Sequence, residues 1–297
     1  VVERPGGRVT PGKRMTLTIG DDIFDLSGIW QYAVTAEADR DCPFEDFVRW
    51  KPTGLYNAML APCFPYAVRA VLWYQGESNT GDYAMRYGDE LKAMIELWRG
   101  KWHQPDMPFL IVQLPKFGID AIEDGGWPLI REQEWRVADE LEHVAAVVTL
   151  DAGESNDLHP HDKKTIADRA FNVAMDFVYG QQAQPQPVVE TAEADDGLLR
   201  MHCVWRNSMG EQMQSQNRHL MTLDGDVPRE IDFLWHDCAT SVRAEAWLDG
   251  CDIVARIPSR MPDEVRYAWS NSPESGLICD GDGVLLPPFH LPLPMVD

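Results

Sequence analysis

Val71-Leu-Trp-Tyr-Gln-Gly-Glu-Ser-Asn-Thr-Gly81 is an apolar run that stops abruptly at a polar turn containing glycine. The run predicts a short buried strand, and the apolar spacing that follows it is typical of a helix. The same order returns twice along the chain, so the predicted elements are strands at 70–74, 108–112 and 144–150 and helices at 82–102, 129–141 and 163–179. Alternating strands and helices of these lengths favour an α/β fold, with a parallel sheet covered by helices on both faces.

The segments on either side of this pattern have β character. Residues 1–50 hold short alternating runs that are typical of the end of a β domain. The runs are Arg14–Ile19, which is followed by a turn signal at Asp21-Asp22, and Asp25–Val34. Gly180-Gln-Gln-Ala-Gln-Pro-Gln-Pro187 has the composition of a linker, and short alternating runs follow it. We therefore expect the tail of a β domain and a connector at 1–50, a partial α/β domain at 51–182 and a small all-β domain at 188–297.

Composition excludes some classes of function. The chain has 297 residues, of which 44% are hydrophobic, and a formal net charge of −22. That charge repels phosphate backbones, so we expect no nucleic-acid partner. No apolar stretch is long enough to span a bilayer, so we expect no membrane association. No signal peptide is seen, but this absence is uninformative because the sequence does not begin with Met.

The six cysteines are scattered, without a Cys-x-x-Cys pair, which disfavours a zinc knuckle. Cys63 lies in an apolar run and is expected to be a buried small hydrophobe. Four cysteines of the C-terminal third could form disulfides if the chain is exported; they are Cys203, Cys238, Cys251 and Cys279.

Three polar segments follow the three predicted strands. They are Gln75-Gly-Glu-Ser-Asn79, Gln113-Leu-Pro115 and the stretch 151–162. In an open parallel sheet, ligands bind outside the carboxyl ends of the strands. The three segments are therefore expected to line one site.

His159 is the obvious general base in this set, because a neutral imidazole can accept and return a proton near neutral pH. Asp157 lies two residues earlier, where it could accept the other ring N–H and fix the tautomer. The alternative is a surface loop in which Asp157 caps a turn and His159 has no role. A metal held by His159 and His161 with Asp157 or Asp162 is disfavoured by the intervening proline and the lack of a clear further ligand, so no metal is expected.

Gln75 offers a side-chain amide N–H at a strand end, which suits it to steady an oxyanion, although it could also be a buried amide that ties loops together. Glu77 is expected to hold the same loop in place. Ser78 is a weak candidate for a nucleophile, because a nucleophile elbow needs glycine two residues after the serine and Gly81 comes one position late. Trp73 and Trp127 are close to these loops and could stack on sugar rings.

Trp73-Tyr-Gln-Gly-Glu-Ser-Asn79, followed by Asp157-Leu-His-Pro160, resembles the sialate O-acetylesterase family of carbohydrate esterases in the SGNH hydrolase superfamily. Flanking segments such as Leu129-Ile-Arg-Glu-Gln133 and Ala167-Asp-Arg169 agree, and Val265-Arg-Tyr-Ala-Trp269 is similar to the closing strand of that family. The resemblance covers most of the chain.

The resemblance implies a three-layer, flavodoxin-like α/β fold, here incomplete at its N-terminus, and hydrolysis of acetyl esters on sugars such as sialic acid. It implies a serine nucleophile on a Gly-Gln-Ser-Asn-Met-type segment, which is expected before residue 1, in a missing N-terminal segment or subunit. The histidine corresponds to His159, and the block Gln75, Gly76, Glu77, Ser78 and Asn79 to the oxyanion and substrate loop. The superfamily prefers Asp three residues before the histidine, where this chain has Asn156, so Asp157 is the expected acidic partner. No cofactor is implied, and the location implied is extracytoplasmic.

Overall fold

The structure, a computed structural model, describes residues 16–26, 51–118, 126–181, 184–213, 218–238 and 240–293. The chain divides into two compact units, Val1–Cys63 and Phe64–Asp297. The expected strand that runs from Asp25 to Val34 falls almost entirely outside the described residues, as does Cys42. The boundary expected near 182–188 between an α/β domain and a β domain stays a prediction.

The first unit contains an antiparallel hairpin. Its strands are β1 Thr16–Ile19 and β2 Asp22–Asp25, which confirms the strand and the turn expected there. A π-helical turn at Tyr56–Leu60 leads to a short 3₁₀ helix. Cys63 at its end is exposed and its thiol donates to the carbonyl of Met59 at 3.3 Å, so the expectation that it is buried was wrong. The Cys63 thiol is satisfied by a local hydrogen bond to the preceding turn, which does not require burial.

The second unit begins with the predicted α/β elements. The strands are β3 Val71–Trp73, β4 Phe109–Val112 and β5 Val144–Val147, and the helices are α1 Tyr87–Trp102, α2 Trp127–Glu140 and α3 Lys163–Phe177. The strands pair in parallel in the order β3-β4-β5. The first turns of the expected helix at 82–102 form a 3₁₀ helix, Gly81–Arg86, whose Asp82 makes no capping hydrogen bond.

The sheet lies between two layers of helices, and the central strand shows why. Phe109 and Ile111 of β4 pack in the cluster that contains α1 and α2, whereas Leu110 and Val112 pack against α3. Successive side chains of a strand point to opposite faces, so a strand of four apolar residues needs cover on both. This is the three-layer α/β arrangement expected from the alternating elements.

Antiparallel strands form the rest of the second unit. They are β6 Gln186–Asp195, β7 Leu198–Arg206, β8 Gln212–Met213, β9 Leu220–Thr222, β10 Ile231–Leu234, β11 Val242–Arg243, β12 Ala246–Asp249, β13 Asp252–Arg256, β14 Glu264–Tyr267, β15 Ile278–Asp280 and β16 Phe289–Pro292. The larger sheets have the orders β12-β13-β7-β6 and β11-β10-β14-β16. Their shared core contains Trp205, Phe233 and Tyr267, all buried. The all-β region expected after residue 188 is therefore present.

Arg131 of α2 ties this β region to the α/β sheet. Its guanidinium is fully buried and donates to the carbonyls of Leu114, Pro115, Ser270 and Asn271 at 2.7–3.1 Å. Buried carbonyls need partners, so one side chain holds the loop after β4 and the segment after β14 together.

The cysteines that the structure describes are all free thiols, so the disulfides considered for the C-terminal third are not formed in it. Within the described ranges, no helix is long and apolar enough to cross a membrane.

Candidate functional site

The register of the sheet brings the three polar segments to one edge. Trp73 at the end of β3 lies opposite Ile111, and Ile111 lies opposite Ala146 of β5. Because the strands are parallel and in register, the chain leaves all of them on the same side of the molecule.

The loop after β4, residues 113–118, lies between the other two loops. A Cβ at Gly76 would lie 3.4 Å from the Leu114 side chain and 2.8 Å from that of Ile130, so any larger residue would force a neighbouring side chain to shift. On the other side, a Cβ at Gly153 would lie 3.2 Å from Pro115. The loop with Gln75 and the loop with His159 therefore flank the same central loop, as the strand order requires.

A second contact joins the outer loops directly. The Lys163 ammonium, at the start of α3, lies 5.4 Å from the centre of the Tyr74 ring. Tyr74 immediately precedes Gln75, and Lys163 follows His159 by four residues. A cation over an aromatic face is attracted to it, so this contact holds the end of β3 near the loop that carries His159.

The loop after β3 is a tight turn held by its own side chains. Gln75 Nε2 donates to Asn79 Oδ1 at 2.9 Å, and the backbone N–H of Gly76 donates to Glu77 Oε2 at 3.0 Å. Tyr87 of α1 donates to the Gln75 carbonyl. Ser78 is exposed, and its hydroxyl has no hydrogen-bond partner in the part of the chain that the structure describes. An amide nitrogen carries two hydrogens, so Gln75 keeps one donor beyond its bond to Asn79.

The structure places Asp157 beside His159, but through the backbone. Asp157 Oδ1 accepts the backbone N–H of His159 at 3.0 Å, and Oδ2 lies 3.3 Å from Nε2 of His161. The His159 ring is exposed and makes no hydrogen bond or ion pair with any described residue. The observed role of Asp157 is thus to shape the turn and pair with His161, and its contact with the His159 imidazole stays a proposal.

Other candidates near the site have structural roles. Asp162 caps α3, since its Oδ1 accepts the backbone N–H groups of Lys164 and Thr165 at 3.0 and 3.1 Å. Trp127 is 5% exposed and donates to the Pro115 carbonyl at 2.7 Å, so its ring belongs to the core. Across the described residues, no group of three or more His, Cys, Asp or Glu side chains could hold a metal ion.

Comparisons with known proteins bear on the family of this chain. The family described as "Carbohydrate esterase, sialic acid-specific acetylesterase" matches residues 45–169. Sialate O-acetylesterase of Mus musculus is 30% identical over 264 residues, or 79% of this chain and 47% of that protein. The Homo sapiens enzyme is 30% identical over 174 residues, or 51% of this chain and 33% of that protein. The crystal structure of a carbohydrate acetylesterase from Xanthomonas citri superposes with a TM-score of 0.69 and 28% identity, covering 80% of this chain and 53% of that one.

The chain belongs to the sialate O-acetylesterase family. It spans about half the length of the mouse relative. The segments between Trp73 and Arg169 that carried the resemblance lie within the span that this family matches, and Val265–Trp269 lies beyond it.

Beneath the site, this family member has a buried acid that the sequence did not reveal. Glu134 of α2 is fully buried, its Oε2 accepts the backbone N–H of Leu114 at 3.0 Å, and its Oε1 has no partner. Burial raises the pKa of this carboxyl well above its usual value. Burial also raises the pKa of the hydroxyls of Tyr74 and Tyr87, and nearby carboxylates add to that effect. A Cβ at Gly76 would lie 3.3 Å from Glu134 Oε1, so this buried carboxyl lies directly beneath the loop that carries Gln75.

Helical periodicity alone could not single out Glu134 or Arg131. Both are charged residues in a helix rich in charge, where the usual expectation is an exposed position. A sequence signal does exist, because position 131 lies one helical turn from position 134 and one turn after Trp127, on the face that turns toward the sheet.

Proposed function

We propose that this chain forms part of the active site of a carbohydrate acetylesterase that removes O-acetyl groups from sialic acid or a related sugar. The observation that carries the proposal is the meeting of the Gln75 loop and the His159 loop around residues 113–118 at one edge of the sheet. The names of the mouse and Xanthomonas citri relatives supply the substrate class.

In the proposed mechanism, His159 accepts the proton of a serine hydroxyl while the serine oxygen attacks the acetyl carbonyl. The tetrahedral oxyanion receives the second N–H of Gln75 and backbone N–H groups of the same loop. The bond to the sugar oxygen then breaks, and His159 returns the proton to that oxygen. Water attacks the acetyl-serine with His159 again as base, which releases acetate and restores the serine.

Asp157 is proposed as the acidic partner of His159. In the structure it fixes the backbone of His159, and a change in its side-chain rotamer would be needed to reach the ring. His161 holds one of its oxygens, so His161→Ala should leave activity unchanged or raise it, whereas Asp157→Ala should lower it.

The serine is proposed to lie on a strand that precedes residue 1. Among the residues that the structure describes, β3 has no partner strand on its outer side. Leu72 in β3 is 57% exposed and Phe171 on α3 is 61% exposed. An open edge and exposed apolar side chains of this kind are what an added strand would cover. The chain without that strand is then proposed to have little or no esterase activity.

An esterase assay tests the proposal. Acetate release from p-nitrophenyl acetate and from O-acetylated sialic acid should be near background for this chain and rise strongly when the upstream segment is fused or supplied in trans. His159→Ala should abolish the restored activity, while His161→Ala serves as the matched control in the same loop. If the extended protein with an intact His159 stays inactive, or if His159→Ala keeps full activity, the proposal is wrong.

Two alternatives are separated by the same assay. A hydrolase that uses Ser78 would be active without the upstream segment and inactive as Ser78→Ala. Against it, the Ser78 hydroxyl makes no hydrogen bond to a base among the described residues. A carbohydrate-binding protein without catalysis would bind sugar and release no acetate in either form. From the family we also propose an extracytoplasmic location, which fractionation of the source cells would test.

A further inference from the structure

A second concave site lies away from the candidate active site. A cavity of about 690 Å³ opens between the α/β region and the β region of the second unit. Its walls come from α2, from Val144–Ala146 in β5, from β6 and from Phe289–Leu291 in β16. Since β5 runs from Val144 to Val147, this cavity lies toward the amino end of the strand, whereas the candidate active site follows the carboxyl end.

The size and position of the cavity fit a ligand site. Small-molecule sites usually measure about 300–1,000 Å³ and occur preferentially between domains or packed layers. The lining combines aliphatic and aromatic groups with planar polar side chains, among them Trp135, Phe289, Gln186 and Asn207. An indole face with amides around it can contact the C–H face of a sugar ring while donating to and accepting from its hydroxyls.

Two solvent-accessible polar groups of the lining have unused hydrogen-bond capacity, in addition to the buried Nε atoms of Arg136 and Arg206. Neither the indole N–H of Trp135 nor the hydroxyl of Ser208 has a hydrogen-bond partner in the described parts of the chain. Neither atom is among the buried polar atoms that lack a hydrogen-bond partner, so both remain accessible. Accessible polar atoms without protein partners are free to bind water or a ligand.

The charged groups of the lining, in contrast, are largely paired within the protein. Glu132 Oε1 lies 3.2 Å from Nδ1 of His290, and the Arg206 guanidinium lies 3.3 Å from Glu190. Arg136, the remaining arginine of the lining, lies 3.4 Å from Asp89 and 3.9 Å from Glu140. Because these cations are paired with carboxylates and the chain has a net charge of −22, the electrostatics disfavour an anionic ligand. The chemistry that remains is that of a neutral, hydroxyl-rich molecule.

We propose that this cavity is a second, non-catalytic carbohydrate site that binds a neutral sugar, with the Trp135 indole N–H as a donor to it. The site goes beyond the proposed acetylesterase chemistry and does not depend on it.

The test is a titration of the full ¹⁵N-labelled chain with lactose, followed through the indole N–H signals. The signal lost in Trp135→Phe identifies Trp135. Lactose should shift that signal in a saturable way, and Trp135→Phe should weaken binding about threefold to tenfold, the value of one hydrogen bond. Trp247→Phe is the matched control. Trp247, in β12, is also a partly buried tryptophan, but it does not line the cavity.

Three results would overturn the proposal. They are the absence of a saturable shift at Trp135, equal lactose affinity in the Trp135→Phe and Trp247→Phe variants, and loss of lactose binding in His159→Ala, which would place the sugar at the other site. If Trp135→Phe does not fold, Ser208→Ala decides in its place: weakened lactose binding supports the proposal, and unchanged binding refutes it. Esterase activity takes no part in these measurements, so failure here is distinct from failure of the proposed function.

Discussion

Replacing Glu134 by Gln should stabilise the protein, and the gain should grow as the pH rises. The Glu134 carboxyl is fully buried, and burial raises its pKa well above the usual 4.5, although the Leu114 backbone N–H and the Arg131 charge act in the opposite direction. The folded chain therefore retains this proton at pH values at which the unfolded chain has released it. Gln presents an oxygen to Leu114 in the same place and carries no charge to bury.

The magnitude follows from the proton count. Where the native state binds one more proton than the unfolded state, the free energy of unfolding falls by about 1.4 kcal/mol for each pH unit. The contribution of Glu134 is thus most favourable near and below pH 4.5 and is lost as the pH rises toward the folded pKa. Between about pH 5.5 and 6.5, the difference between Glu134→Gln and wild type should widen by up to about 1.4 kcal/mol.

Urea denaturation at both pH values, followed by tryptophan fluorescence, measures this difference. Glu134→Leu should instead lower the free energy of unfolding by about 1–3 kcal/mol, because it leaves the Leu114 N–H buried without an acceptor. Asp139→Asn, at an exposed position of the same helix, is the control and should track wild type. If wild type and Glu134→Gln change in parallel with pH, or if wild type gains on the variant as the pH rises, then Glu134 is ionised in the fold and the reasoning fails.

Three further variants test the contacts that hold the site and the β region. The pKa of His290 is raised first by its hydrogen bond to Glu132 and also by Glu264, so its contribution to stability is present below pH 6.5 and lost as the pH rises through the folded pKa. His290→Gln should therefore lower the free energy of unfolding by about 1–2 kcal/mol in urea denaturation at pH 5.5 and by less at pH 9. An equal difference between variant and wild type at both pH values would contradict this. Gly76→Ala should cost about 1–3 kcal/mol in the same assay, since its Cβ would lie 2.8 Å from a side chain of α2, and an unchanged midpoint would show that the loop yields. Arg131→Leu should cost at least about 3 kcal/mol and open the segment after β14 to limited proteolysis, because four carbonyls lose their donor; protection like that of wild type would refute it.

Much of the α/β fold could be read from periodicity. The strand at β4 is a continuous apolar run and the helix at α3 carries an apolar stripe, so each sequence pattern matched the geometry that the element adopts. The predicted start of α1, residue 82, was too early. The segment Gly81–Arg86 has helical spacing of apolar residues but forms a 3₁₀ helix after the loop that carries Gln75. Cys63 was misplaced because an apolar neighbourhood in sequence does not establish a core in space.

For the site, the strand-end rule was enough to group Gln75 and His159, because parallel strands in register must release their loops at one edge. The strand-end rule could not predict which side chains would be hydrogen-bonded to each other. The Asp157 carboxylate accepts the backbone N–H of His159 and pairs with the ring of His161. Residue spacing allows several such local contacts and does not determine which of them forms.

Local sequence patterns were enough to predict the order of strands and helices, the sheet edge at which the polar loops lie and the family of the chain. All three depend on short-range periodicity and on short motifs. Packing between distant segments decided the rest. The pKa of Glu134 is raised because the loop after β4 helps to bury it, and Arg131 joins two regions because the chain near Ser270 supplies carbonyls to its guanidinium. Desolvation and long-range hydrogen bonds are set by residues far apart in sequence, and no local pattern encodes them.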